Sequence, residues 1–341
     1  WYQEIGWNVE RIPADGGRQV LLITNHVSEH YDAMYIGHMD TVFPDGTAEK
    51  RPFRIEGENY YGPGVGDMKN GDLAMFHIAA NLPETEKKCL NIAMVYNPDE
   101  EIGSIYSKEI TDRIGCKADH IFVMESAGKN GIRHCFARKG SLTYDIEFQG
   151  QAAHAGFMFE VENASAVLEM GHYIVELMNL ADREKDTTVN VGVANGGTAR
   201  NVVADHAKIS VEMRFWDDSE RIRLKEYVNK ITKGQPFVPG VKTTITMQKE
   251  TPPFIKTEEA KKYIERVRKI AEEQEIPFEE KDRGGLSDAN HLSRCGNAIV
   301  MDGMGPHGAN DHSEKEYGYI GSVEPCVKLH LAILNDMLNK Q

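Results

Sequence analysis

Four short apolar runs, each releasing a histidine or an acid just past its last apolar residue, constrain this 341-residue chain more than any other feature. Asp32-Ala-Met-Tyr-Ile-Gly37 leads into His38-Met-Asp40, and Leu90–Tyr96 leads into Asn97-Pro-Asp-Glu-Glu101. His120–Met124 leads into Glu125 and Ser126, and Ala298–Met301 leads into a Gly-rich loop that holds His307 and His312. Such runs are the length of buried strands. Helical stretches over 69–82 and 103–114 lie between them. Alternating strand and helix predicts an α/β domain with a mainly parallel sheet and helices on both faces. Ligands of such sheets bind outside the carboxyl ends of the strands, where these polar residues fall.

The middle of the chain follows another rule. Ser141-Leu-Thr-Tyr-Asp-Ile-Glu-Phe148 alternates with period two, as a half-exposed strand does. An amphipathic helix over 164–180 follows, then strand-like runs over 188–194 and 207–215, a charged helix over 218–232, and a last strand over 242–248. This β-α-β-β-α-β order predicts a ferredoxin-like α+β insert. The expected domains are therefore 1–137 with 251–341, and 138–250, with Thr251-Pro-Pro253 as a hinge.

Charge and composition exclude several classes. A net charge of −14 argues against nucleic acid, whose phosphates need clustered Lys and Arg. No apolar run approaches the roughly 18 residues of a membrane helix. The five cysteines, Cys89, Cys116, Cys135, Cys295 and Cys326, form no Cys-x-x-Cys pair, so reduced thiols are expected rather than a disulfide framework. The chain opens on Trp1 and shows no signal peptide; a cytoplasmic location is the expectation.

In Gly62-Pro-Gly-Val-Gly-Asp-Met-Lys-Asn-Gly-Asp72, glycines make a tight loop with Asp67 at its middle, just before an apolar helix over 73–82. Alone, this reads equally well as a glycine turn with a solvated acid. It gains meaning beside His38, Glu101, Glu125 and His312. Two imidazoles and three carboxylates suit zinc, manganese or cobalt. Two divalent ions and a hydroxide would balance three carboxylates, which a buried site tolerates better than net charge. Asp40 is placed to receive the second N–H of His38. Glu100 and Glu101, adjacent on an extended segment, are expected to point to opposite sides, one to metal and one to a reacting water.

Tyr35-Ile-Gly-His-Met-Asp-Thr-Val42, the Gly62–Gly71 loop, Asp99-Glu-Glu-Ile-Gly-Ser104, Met124-Glu-Ser-Ala-Gly128 and Ala153-His-Ala-Gly156 together resemble the M20 metallopeptidases, most of all their glutamate carboxypeptidase branch. The likeness covers essentially the whole chain. It implies a zinc exopeptidase catalytic domain interrupted by a lid, or dimerisation, domain. It also implies a homodimer that cleaves a peptide or amide bond next to a free C-terminal carboxylate. N-acyl-amino-acid deacylase or dipeptidase activity is the alternative. In this likeness Asp67 would bridge two Zn2+, with Glu101 and His312 on one ion and His38 and Glu125 on the other; Mn2+ or Co2+ could substitute. Glu100 would be the general base and then the acid, and Asp40 would orient His38. His154 would reach the partner subunit's site, and Asn201 and Arg214 would hold the substrate carboxylate. Gly284 and Gly285 resemble a loop that lines the substrate cleft. The last motif has two histidines; His312, followed by Ser and an acid, fits the ligand, and His307 is expected near the substrate.

Overall fold

The computed structural model describes residues 1–339 and divides into two compact units, Trp1–Ala137 with the chain from Ile255 onward, and Arg138–Phe254. In chain order the first unit opens with β1 (Asn8–Ala14), β2 (Arg18–Thr24) and β3 (Tyr31–His38). Then come α1 (Asn70–Ala80), β4 (Ile92–Asn97), α2 (Lys108–Gly115) and β5 (Ala118–Val123). The second unit holds β6 (Gly140–Gln149), α3 (Ala166–Met178), β7 (Thr188–Gly196), β8 (His206–Phe215), α4 (Asp218–Lys233) and β9 (Lys242–Thr251). The chain then returns to the first unit with α5 (Glu258–Glu273), β10 (Ile299–Met301) and α6 (Val323–Leu338).

The first unit's main sheet has the order β1-β2-β4-β3-β5-β10. The four strands from β4 to β10 run parallel, and the β1–β2 hairpin joins them antiparallel. β4 is buried at every residue and β3 at all but Asp32, as expected of strands covered on both faces. Tyr35 stacks on Phe122 at 5.0 Å inside a core that also takes Met75 and Ile78 of α1 and Leu329 and Ile333 of α6. Each such fully buried side chain contributes roughly 1.5–3 kcal/mol. On α5, Ile264, Val267, Ile270 and Ala271 make the inward stripe, and Thr257 caps the helix by accepting the Ala260 N–H. A small antiparallel sheet of Arg54–Glu56, Asn59–Tyr61, Gly308–Ala309 and Tyr317–Tyr319, not visible in the sequence patterns, brings the late loop beside the early one.

The second unit has the order β7-β8-β6-β9, antiparallel throughout, with α3 and α4 as crossovers. That is the ferredoxin-like arrangement. Leu142, Tyr144, Ile146 and Phe148 of β6 alternate inward against Ile209, Val211 and Met213 of β8. The segment expected to be a hinge stays with this unit: Thr251 pairs with Ser141, and Phe254 and Arg138 exchange both backbone hydrogen bonds.

One helix is shorter than its pattern. The stretch expected over 103–114 is helical only from Lys108, because Gly103 and Ser104 take positive φ of 88° and 54° and break the turn. Among the described residues, no helix is long and apolar enough to cross a membrane.

Candidate metal centre

β3 ends on His38, which the sheet holds almost fully buried. Its Nε2 lies 3.1 Å from Asp67 Oδ1 and 3.6 Å from Glu125 Oε1. The other oxygen of Asp67, Oδ2, lies 3.0 Å from His312 Nε2, and that nitrogen lies 3.2 Å from Glu101 Oε2. Two sets of ligating atoms follow, each within 4.8 Å of one another: His38, Asp67 and Glu125, and Asp67, Glu101 and His312. They share Asp67, one oxygen to each. The donor set is hard oxygen with imidazole, which suits zinc and its neighbours. Glu101 Oε1 is buried without a hydrogen-bond partner, as expected of an atom that awaits a cation.

The loop that carries Asp67 is fixed from the far end of the chain. Glu316, almost fully buried, accepts the N–H groups of Gly64 and Gly66 at 2.8 Å and of Asp67 at 3.0 Å. Gly64 has φ 74°, and a Cβ on Gly66 would lie 3.0 Å from the Tyr317 carbonyl oxygen, so both positions need glycine. The Asp67–Met68 peptide bond is cis. Sequence reading missed Glu316. Its one signal was an acid four residues past the ligand histidine.

Asp40 meets the second ring nitrogen of His38 and also holds the turn that follows β4. Its backbone carbonyl takes His38 Nδ1 at 3.1 Å, and its carboxylate lies at 3.4 Å. That carboxylate accepts the N–H groups of both Glu100 and Glu101, at 3.1 and 3.0 Å. The captured amides wind Glu100–Ile102 into a 3-10 turn, not the extended segment expected. Successive side chains still diverge there, by about 120° at three residues per turn.

Charge is crowded here. Burial opposes a charged His38, but hydrogen bonds to Asp40, Asp67 and Glu125 outweigh it and raise its pKa well above the ordinary value. Burial likewise opposes the ionised Asp67, and His38 and His312 overcome it and hold the carboxyl low. Glu100 is pushed well up by burial, then by the charges of Glu125 and Asp288. Glu101 rises to about 7 through burial and Asp67. Two buried histidines elsewhere in the first unit do the reverse. His330, between Tyr35 and Phe122, and His134 both fall to about 4 because burial disfavours their charge.

His307, expected near the substrate, is buried in its loop. Its Nδ1 meets the Ala127 carbonyl at 3.1 Å, its backbone N–H donates to Ser322 Oγ, and burial lowers its pKa. Gly284 and Gly285 are exposed in the loop that follows Arg283.

In the second unit, His154 is exposed, and Asn201 lies beside it, its carbonyl accepting the Ala155 N–H. Arg214 donates to Glu212 through Nε at 3.0 Å and Nη2 at 2.6 Å. Arg214 and Asn201 do not meet within the chain. Ala207 pairs with Gly196 at the Asn201 end of β8, whereas Arg214 pairs with Thr188 at the other end. Seven residues of strand, roughly 23 Å at about 3.3 Å each, separate those ends.

A mainly parallel sheet beside which two histidines and three carboxylates gather is an α/β domain with a candidate metal centre. The chain belongs to the peptidase family M20/M25/M40, whose model matches residues 34–336. It is 25% identical over 333 residues to carboxypeptidase G2 of Pseudomonas sp. (strain RS-16), covering 96% of this chain and 76% of that one. Its fold matches aminopeptidase PepT from Bacillus cereus with TM-score 0.78 at 22% identity, over 99% of this chain and 90% of that one. It also matches the M20 metallo-carboxypeptidase Sso-CP2 from Sulfolobus solfataricus with TM-score 0.73 at 16% identity, over 98% and 91%.

Proposed function

We propose that this M20 hydrolase is a di-zinc enzyme that cleaves a peptide or amide bond next to a free C-terminal carboxylate. The observation that carries the proposal is the division of Asp67, with Oδ1 toward His38 and Oδ2 toward His312. His38 and Glu125 would hold one ion with Asp67, and Glu101 and His312 the other. Zinc ions at such a paired site polarise a carbonyl and acidify water.

The remaining steps belong to the protein. Glu100, crowded by burial and by Glu125, has a raised affinity for protons and suits a general base. It accepts a proton from the attacking water as the oxygen bonds to the scissile carbon. It returns that proton to the nitrogen as the C–N bond breaks, leaving a carboxylate and an amine. Arg214 would grip the substrate carboxylate through two parallel N–H groups, fixing its direction.

The roughly 23 Å along β8 between Arg214 and the His154–Asn201 pair favours a homodimer, in which the partner subunit's His154 and Asn201 meet a substrate that Arg214 grips. Two further features favour assembly through residues 138–250. β7 lies at a sheet edge, its residues mostly exposed. Beside it, α3 exposes Leu168 (55%), Val175 (60%) and Met178 (41%). The five free cysteines suit a reducing compartment such as the cytoplasm.

Metal analysis together with hydrolysis of a panel of dipeptides, N-acyl amino acids and N-acyl glutamates tests the proposal. Two ions per chain, activity lost on chelation and regained with zinc, and a requirement for a free α-carboxylate on the substrate are expected. Equal turnover of substrates amidated at that carboxylate would overturn the specificity, and chelation without loss of activity would overturn the chemistry.

A further inference from the structure

A second polar cluster lies behind the Glu100–Glu101 turn, and the mechanism above does not use it. Asn97, Asp99, Ser104, Ser107, Asp288 and His291 are all buried. Asp288, in Ser287-Asp-Ala-Asn290, accepts Ser104 Oγ–H at 2.6 Å and the Asn97 side-chain amide at 2.7 Å. His291 Nε2 lies 3.0 Å from the same carboxylate, and its Nδ1 lies 2.5 Å from Asp112 Oδ1. An imidazole between two carboxylates holds its proton: burial opposes the charge, but Asp112 and Asp288 outweigh it and raise its pKa to about 9.

The cluster bears on one stretch of backbone. Asn97 is the last residue of β4, and Ser104 ends the reversal that presents Glu100 and Glu101. Asn97 Oδ1 also accepts the Asp99 N–H at 3.1 Å and Ser107 Oγ–H at 2.7 Å, and the Ser104 N–H donates to the Asp99 carbonyl at 2.7 Å. Ser104 takes a left-handed φ of 54°, an unfavourable conformation for serine, and its hydroxyl bond to Asp288 supports that conformation. Both ends of the reversal thus hang on one carboxylate nearly two hundred residues away.

We infer that Asp288 is a positioning residue for Glu100, closing the 97–104 reversal from behind while Asp40 closes it from the front, with His291 clamped to Asp112 to fix the direction of the Asp288 carboxylate. The inference rests on the proposed role of Glu100 as base. Asp288 touches no reacting atom; it acts through the placement of the turn, and its charge adds to the crowding that Glu100 already feels from Glu125.

A double-mutant cycle tests it. Asp288→Asn keeps the shape but replaces one acceptor by a donor that faces Ser104 or Asn97. It should lower kcat by about 10–100-fold, the usual cost of a lost supporting partner, with KM within about twofold and zinc content unchanged. In a Glu100→Gln background the same change should cost less than about twofold, because the group it positions is already gone. In the metal-free protein, amide exchange over Glu100–Ser104 should quicken by at least about tenfold, a readout independent of turnover. An equal loss of kcat in both backgrounds, or unaltered exchange, would overturn the inference. Should Asp288→Asn fail to fold, Ser104→Ala removes the same 2.6 Å bond and is read against the same outcomes. Wild-type turnover by Glu100→Gln would instead defeat the hydrolase chemistry itself, a result separate from any effect of Asp288.

Discussion

In the second unit Glu220 is almost fully buried, yet hydrogen bonds from Arg223, and after burial from Lys185 and Thr187, hold its carboxyl down to about 2. In the first unit Glu101 is driven up to about 7, Asp72 to about 8 and Asp311 to about 6, each by burial first and by neighbouring carboxylates after it. Glu250 repeats the first pattern, its burial outweighed by Lys225 and Arg221. The ferredoxin-like unit brings its own cations to its acids. Among the described residues, the centre around Asp67 gathers acids with the imidazoles of His38 and His312 and, near Asp72, Lys69 to meet them, and Glu101, Asp72 and Asp311 remain raised. A protein that retains such a deficit has use for cations from outside, and the difference separates a self-neutralised scaffold from a metal site.

Removing Asp67 should show the contrast most strongly. Asp67→Ala should lose both ions in metal analysis and depress turnover beyond the roughly 10²–10⁴-fold of a lost general base. Two tight ions in that variant would dissolve the distinction between the units. Glu100→Gln comes next: both ions should remain, a substrate-like carboxylate should still bind, and turnover should fall by about 10²–10⁴-fold. If Glu101→Gln kept its metal while Glu100→Gln lost it, the two roles would be exchanged.

Glu316→Gln should weaken zinc affinity by about 10–100-fold, measured by competition with a chelator, since it touches no ligand atom but holds the loop that carries one. The smallest effect belongs to the self-neutralised unit. A carboxyl depressed in the fold adds stability that is fully present above its unfolded value, about 4.3, and is lost as pH falls toward its folded value. For Glu220 the window runs from about pH 4.3 down to about 2. Glu220→Gln should remove roughly 1–2 kcal/mol at pH 7, after allowance for the exposed Arg223 and Lys185, and flatten acid unfolding over that window.

His38, Glu101 and Glu125 were legible as candidate ligands because each follows a short apolar strand, and strand ends in a parallel sheet converge; Asp67 and His312 sit in Gly-rich loops and drew their meaning from those three. His312 rather than His307 could be chosen from the residues around each. The supports were not legible, because they depend on contacts between distant parts of the chain. Glu316 and Gly64 are 252 residues apart, and Ser104 and Asp288 are 184 apart. The Glu100–Glu101 turn was misjudged as extended for the same reason: Asp40 captures both amides from 60 and 61 residues away. Period-two alternation in the second unit was clearer, since one face of that sheet is buried and the pattern is local to each strand.

Zinc titration of the chelated protein, with proton release recorded, tests the charge deficit most directly. At pH 6 Glu101 and His38 should each carry a proton before metal arrives, Glu101 because burial and Asp67 raise it to about 7, and His38 because three carboxylates outweigh its burial. Ligation requires both to lose it. The account predicts about two ions bound per chain, with more than about one proton released per chain at pH 6 and fewer at pH 8. A single ion per chain, or binding without proton release at pH 6, would contradict it.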